Sequence, residues 1–190
     1  TAFEPPHWRN RDHDTGDLTN DHPLGPDAYD RYGVPYLLMH RGDLHAALHG
    51  AVPDEMIRYN HKVGKIEQSD SGVTLTFENG ETVMVDALIA SDGVHSIARQ
   101  SLLGAEDARF SGRIAYRTAF PASLMNGYNL LDDSAKWWGP DRHIVIYYVT
   151  AARDEIYFTT SQPEPDFQVE SWSATGDVKA LRAAFGDFHP

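Results

Sequence analysis

Residues 85–104 read VDALIASDGVHSIARQSLLG. The stretch begins as an apolar run with the character of a buried strand. It ends in apolar residues at helical spacing, and Ser91-Asp92-Gly93 stands at the junction. A tight turn from strand to helix leaves the first helical N–H groups without intrahelical partners, at the positive end of the helix dipole. Gly93 permits close approach and unusual φ. Asp92 falls at the carboxyl end of the strand, where open α/β sheets place their ligands. Ser96 is positioned to cap the helix, and Arg99 on its first turn to pair with a carboxylate or a phosphate. The same spacing also describes an ordinary junction in which Asp92 is no more than a cap.

Upstream, the pattern predicts strands over about 61–68, 73–77 and 82–90. Asn79-Gly80 between the last two suits a type I′ hairpin, which needs positive φ at both central residues. Val73, Leu75 and Phe77 alternate with Thr74 and Thr76, as in a half-buried strand. The third strand ends in ALIA at residues 87–90, without polar alternation, as expected of a strand covered on both faces in a parallel sheet. Before these strands, HRGDLHAALHGAV predicts a helix over about 42–52, with Asp43 as N-cap and Leu44, Ala47, Leu48 and Val52 at helical spacing. Residues 1–35 are polar and rich in Pro, Gly, Asp and His, with no clean period. His7-Trp8-Arg9 and Asp17-Leu18 offer short strands about a turn at Asp14-Thr15-Gly16.

Downstream of Gly104 the texture changes, with a boundary near 105–112. RIAYRTAF (113–120), KWW (136–138), HIVIYYVTA (143–151) and EIYFTTS (155–161) are dominated by aromatic and β-branched residues and predict an antiparallel sheet. A final helix is predicted over 178–185. In HIVIYYVT, period-two alternation puts His143, Val145 and Tyr147 on one face and Ile144, Ile146 and Tyr148 on the other. His143 and Tyr147 are then about 13 Å apart at ~3.3 Å per residue, a gap that one small aromatic ring can fill. Taken alone, the pair also reads as a satisfied sheet histidine and a core aromatic. Trp137 and Trp138 are adjacent and face opposite sides, one toward the core and the other free to wall a pocket.

The net charge is −12, from 16 basic and 28 acidic side chains, which argues against nucleic acid and against an anionic membrane surface as partners. A small anionic ligand remains compatible, since one local arginine can hold it. There are no cysteines, so no disulfide framework and no thiolate metal site is expected, and nothing requires an oxidising compartment. No apolar run is long enough to span a bilayer, and a cytoplasmic protein is the expectation. His45 and His49 share a helical face, but no acid completes a metal pattern there, so no metal is expected. The chain opens TAFEPPHW without Met and closes ALRAAFGDFHP just after a helical run, which suggests an internal piece of a longer protein.

DALIASDGVHSIAR resembles the second fingerprint of the flavoprotein aromatic hydroxylases, an apolar strand leading into Gly-Ala-Asp-Gly-x-x-Ser-x-x-Arg. Asp92, Gly93, Ser96 and Arg99 match, while Ala90 and Ser91 replace the usual Gly-Ala. MHRGDLHAAL resembles the family's Arg-x-x-Leu-x-x-x-Leu helix start. KWWGPDRHIVIYYVT followed by RDEIYFTT resembles its substrate domain, nearest to the branch acting on 6-hydroxynicotinate or salicylate. The resemblance runs in register from Trp8 to the end. It implies a partial Rossmann-like FAD-binding domain, α/β in class, joined to an antiparallel-sheet substrate domain. Residues 39–108 would be the central part of the former and 109–190 the latter, with 1–38 an irregular lead-in packed on the substrate sheet. It implies FAD contacts at Arg41, Val63, Asp92 and Gly93, although Arg41 alone reads equally as a surface arginine.

The activity so implied is FAD- and NAD(P)H-dependent hydroxylation of a small hydroxylated aromatic carboxylate with O₂, with or without decarboxylation. His143 would hold a carboxylate or take a phenolic proton, and Tyr147 would orient the ring. Alternatives are a salicylate or hydroxybenzoate hydroxylase, and a ligand-binding module on the same fold without catalysis. No two glycines are separated by one residue, so the family's Gly-x-Gly-x-x-Gly loop has no counterpart here, nor has its later Gly-Asp segment. The chain would thus supply the middle of the flavin domain and most of the substrate sheet.

Overall fold

The computed structural model describes residues 2–167 and 174–189. The packing divides the chain into two compact units, Thr1–His49 with Ser111–Pro190, and Gly50–Phe110.

The larger unit is built on a seven-stranded sheet. Its strands are β1 (His7–Asp12), β2 (Leu18–Pro23), β6 (Arg113–Ile114), β7 (Arg117–Pro121), β8 (Ser134–Trp138), β9 (His143–Tyr148) and β10 (Glu155–Pro163). Their order is β2-β1-β8-β9-β10-β6, and β7 also pairs with β10. Every pairing is antiparallel except that of β1 with β8, which is parallel. The aromatic and β-branched segments form the strands expected of them, although the first is broken at Ala115 and Tyr116 into β6 and β7. The core holds Phe3, Leu38, Tyr148 and Ile156, with Ile146, Phe120 and Trp8 packed against it. Helix α1 (Pro26–Tyr32) ends at Gly33, whose φ of 73° is the left-handed cap that glycine adopts without strain.

The polar opening segment forms a hairpin, β1 and β2, whose register shifts between Asn10 and Arg11. An ion cluster joins it to the sheet. Arg9 Nη1 donates to Asp132 Oδ1 at 2.7 Å, and Arg11 Nε to Asp132 Oδ2 at 2.5 Å. The Asp132 side chain is 2% exposed. Burial alone would raise its carboxyl pKa, but the hydrogen bonds and charges of Arg11 and Arg9 outweigh burial and hold it below the usual value.

Helix α2 (Arg41–Gly50) starts before Asp43. His40 takes the capping role instead: its Nδ1 accepts from the Gly42 N–H at 3.2 Å. Helix α4 (Val178–Ala184) does start with an aspartate cap, Asp177, which accepts from the Lys179 N–H at 2.8 Å.

The smaller unit holds the antiparallel sheet β3 (Val63–Ser69), β4 (Gly72–Phe77) and β5 (Thr82–Val85), in that order, and helix α3 (Ile97–Leu103). Ser101 Oγ donates to the Ile66 carbonyl and ties α3 to β3. The strand expected over 82–90 stops at Val85. Its partner β4 runs out there: Val73 pairs with Val85, and Gly72 turns the chain away with a φ of 136°. Beyond that point no described strand offers a ladder, so residues 87–90 are not in a sheet and Ile89 is 93% exposed. Apolar character predicted burial, but a strand also needs a neighbour. The parallel strand expected here is therefore corrected to an unpaired segment.

A Cβ on Gly72 would lie 2.6 Å from the Val85 carbonyl oxygen. Gly72→Ala is expected to destabilise this small sheet by about 1–3 kcal/mol through positive φ and overlap together. Faster amide exchange across β3–β5 is the measurement, and unchanged protection would contradict the close approach.

Candidate functional site

The Asp-Gly junction answers to its own helix. Asp92 Oδ1 accepts from Ser96 Oγ at 2.6 Å, and Asp92 Oδ2 from the Ala98 N–H at 3.2 Å. Ser96 Oγ in turn accepts from the Arg99 N–H at 2.9 Å, the N-cap bond of α3. The Arg99 guanidinium donates to the Val94 carbonyl rather than to a carboxylate. The Ser96 hydroxyl, then the Ala98 amide, hold the Asp92 carboxyl below its ordinary pKa. Asp, Ser and Arg of the motif therefore lock one turn. Gly93 completes it with a φ of 78°, and nothing lies within 4 Å of where a Cβ would be. The exposed backbone of 92–94 is the open face of the turn.

Arg41, the first residue of α2, is exposed and has no hydrogen-bond or ion-pair partner among the described residues. Val63 is half-buried at the head of β3, opposite Phe77 and beside a register shift at Gly64 and Lys65.

In the larger unit, β9 places His143 and Tyr147 on one face, as alternation requires. Cross-strand register sets Trp138 opposite His143, Lys136 opposite Val145 and Ser134 opposite Tyr147. On the other side of β9, Ser161, Thr159 and Tyr157 meet the same three positions. The Trp138 ring lies 5.2 Å from that of His143, and Tyr157 lies 5.2 Å from Tyr147. Trp137 points the other way, stacked on His189 and under Arg11.

Neither the His143 nor the Tyr147 side chain has a hydrogen-bond partner among the described residues, and both residues are half-buried. Burial lowers the His143 pKa, helped by the charges of Lys136 and Arg113, which favours the neutral imidazole. Burial also pushes the Tyr147 phenol up to about 12, with Tyr157 and Tyr36 adding to the effect. The face thus presents a neutral proton acceptor and a phenol that stays a donor, one at each end of β9.

Trp8, whose ring is 6.4 Å from that of Tyr147, and Tyr36 also line an open cavity of about 770 Å³ between the hairpin and α1. Its volume suits a small ligand. Lys136, Trp8 and Tyr36 were not singled out in the sequence. For Lys136 a signal was present: a hairpin about Gly139-Pro140-Asp141 that sets Trp138 against His143 necessarily sets Lys136 between His143 and Tyr147.

Among known proteins, the family model described as flavin containing amine oxidoreductase matches residues 3–100. The 6-hydroxynicotinate 3-monooxygenase of Bordetella bronchiseptica is 38% identical over 187 residues, which are 98% of this chain and 49% of that protein. The 3-amino-4-hydroxybenzoate 2-monooxygenase of Streptomyces cremeus is 33% identical, over 88% of this chain and 41% of its own length. The chain thus spans about half the length of the curated relatives it matches. Among solved structures, Klebsiella pneumoniae HpxO complexed with FAD and uric acid superposes with a TM-score of 0.79 at 22% identity, covering all of this chain and 47% of that one. A salicylate hydroxylase substrate complex gives 0.76 at 20% identity, covering 98% of this chain and 49% of that one. At those identities the two structures show a common fold. The match to the family model covers more than half of the chain, and with it the protein takes its place among the flavin-containing amine oxidoreductases, similar along nearly its whole length to FAD-dependent aromatic monooxygenases.

Proposed function

We propose that the protein carrying this chain hydroxylates a small hydroxylated aromatic carboxylate, with FAD as cofactor and NAD(P)H and O₂ as cosubstrates. The observation that carries this reading is the pair His143 and Tyr147: one face, both half-buried, both side chains without a hydrogen-bond partner among the described residues. The matched relatives include enzymes named for 6-hydroxynicotinate and for hydroxybenzoates, and 6-hydroxynicotinate is the ring we favour. In that case oxygen enters at the carbon bearing the carboxylate, which departs as CO₂. Residues 39–108 would belong to the central part of a Rossmann-like cofactor domain and 109–190 to the substrate domain. A reducing, cytoplasmic setting fits the lack of cysteine.

The residues present fit FAD. Gly93 leaves open space over an exposed turn, where a dinucleotide can approach the backbone. Arg41 offers an uncommitted guanidinium for a phosphate. Asp92, spent on its own turn, would stiffen that approach, and Val63 would lie against the cofactor. FAD, when bound, supplies the activation of O₂ with two electrons from NAD(P)H, one oxygen atom entering the ring and the other leaving as water. Tyr147 donates a hydrogen bond to the ring's oxygen substituent. His143 accepts the ring hydroxyl's proton, becoming imidazolium, and leaves the ring electron-rich.

The full-length protein that carries this chain, once purified, should carry flavin absorbance and oxidise NADH or NADPH faster when 6-hydroxynicotinate is added than when salicylate is. Faster turnover on salicylate would move the assignment to the hydroxybenzoate branch. A colourless protein that FAD does not reconstitute would leave a ligand-binding module and end the monooxygenase reading.

A further inference from the structure

We propose that Lys136 is the residue that anchors the substrate's carboxylate and so selects anionic rings. The proposal rests on the hydroxylase reading above and adds a residue to it. Lys136 stands opposite Val145, one strand over from the middle of the His143–Tyr147 gap and on the same face. Its Nζ lies 3.5 Å from the centre of the Trp138 ring. No carboxylate is within ion-pair distance of it among the described residues, in a chain with 28 acidic side chains. The neighbouring groups are otherwise engaged. Asp12 accepts from the backbone of Asp14 and Thr15 in its own hairpin turn, and Arg113 donates to Ser161 Oγ and the Asp141 carbonyl.

A half-buried ammonium over an indole face, without a counter-ion, is an arrangement that an aromatic carboxylate completes. The anion neutralises the ammonium, whose burial already lowers its pKa, while the ring finds Trp138 and Tyr147 beside it. It also separates two roles that the sequence left together on His143. A neutral imidazole is a weak anion anchor, and the positive charge next to it is one reason that it is neutral. Lys136 therefore holds the charge and keeps His143 free to take a proton.

The test is equilibrium binding of 6-hydroxynicotinate and of its uncharged carboxamide to the wild type, Lys136→Gln and Lys136→Arg. Lys136→Gln should weaken the acid by about 10–100-fold, the range of one charge-assisted hydrogen bond. The carboxamide should change less than about threefold on the same scale of reasoning, and Lys136→Arg should keep most of the acid's affinity. Lys136→Gln should also raise the His143 pKa seen by NMR while Lys136→Arg leaves it low, so that the shift follows the charge at position 136. Equal losses for acid and amide, or no loss for either, would overturn the proposal. A folded wild type that binds neither ring would instead overturn the hydroxylase reading on which it rests.

Discussion

Asp132→Ala should remove about 3–5 kcal/mol from the larger unit, because it deletes the buried acid of an ion cluster and leaves Arg11 without a carboxylate. Arg9 and Arg11 both point at Asp132, and the Arg11 side chain is only 14% exposed. Without the carboxylate, the mostly buried Arg11 loses the acceptor of its Nε and Nη2 and keeps only the Gly16 carbonyl, while the more exposed Arg9 keeps Asp21. For a chain of this size about 1 kcal/mol shifts the melting temperature by roughly 2–4 °C, so a drop on the order of 10 °C is expected. The effect has a defined pH signature. The folded carboxyl titrates below its unfolded value of about 3.9, so its contribution is complete above that pH and lost as pH falls through the folded pKa. Asp132→Ala should therefore flatten the acid side of the stability curve. A loss under about 1 kcal/mol would mean that the cluster behaves as an exposed pair and that the hairpin is held by its ladder alone.

His143→Ala should lower kcat/KM for the proposed hydroxylation by about 10²–10⁴-fold, the usual span for a lost general base. Its folded pKa lies below the ordinary 6.5, so the base form dominates at neutral pH and is lost as pH falls through that lowered value. The charged groups acting on it are Lys136 of β8 and Arg113 of β6, and both push in the same direction. The wild-type profile should then fall off on the acid side below 6.5, and the variant should lose that limb. Tyr147→Phe keeps the ring and removes the donor, so it should raise KM more than it lowers kcat. Activity of His143→Ala within tenfold of wild type, with the acid limb intact, would assign the proton to another group.

How legible the molecule was in its sequence depended on the range of the interactions involved. The turn at 92–99 was readable because Asp92, Ser96 and Arg99 lie close in sequence and their hydrogen bonds stay within that one turn. The face shared by His143 and Tyr147 was readable because period-two alternation survives in any regular strand. The hairpin was faint because HWRNRD carries almost no apolar signal; its arginines answer to an aspartate that the sequence order hides. The end of the strand at Val85 was unreadable for the opposite reason: residues 87–90 have the composition of a core strand, and composition cannot say whether a neighbour exists. Lys136 has the composition of any surface lysine, and it is the register of β8 against β9 that puts it between His143 and Tyr147.

The parallel pairing of β1 with β8 has a consequence for biogenesis. Arg9 and Asp132 are 123 residues apart, so β1 meets β8 only after that intervening length has been made. At about 5–20 residues per second, that is a wait of roughly 6–25 s for a nascent hairpin with one ladder edge unsatisfied. Its polar, charge-rich strands suit that interval, since they offer a ribosome-bound chain little to aggregate with before the acid arrives.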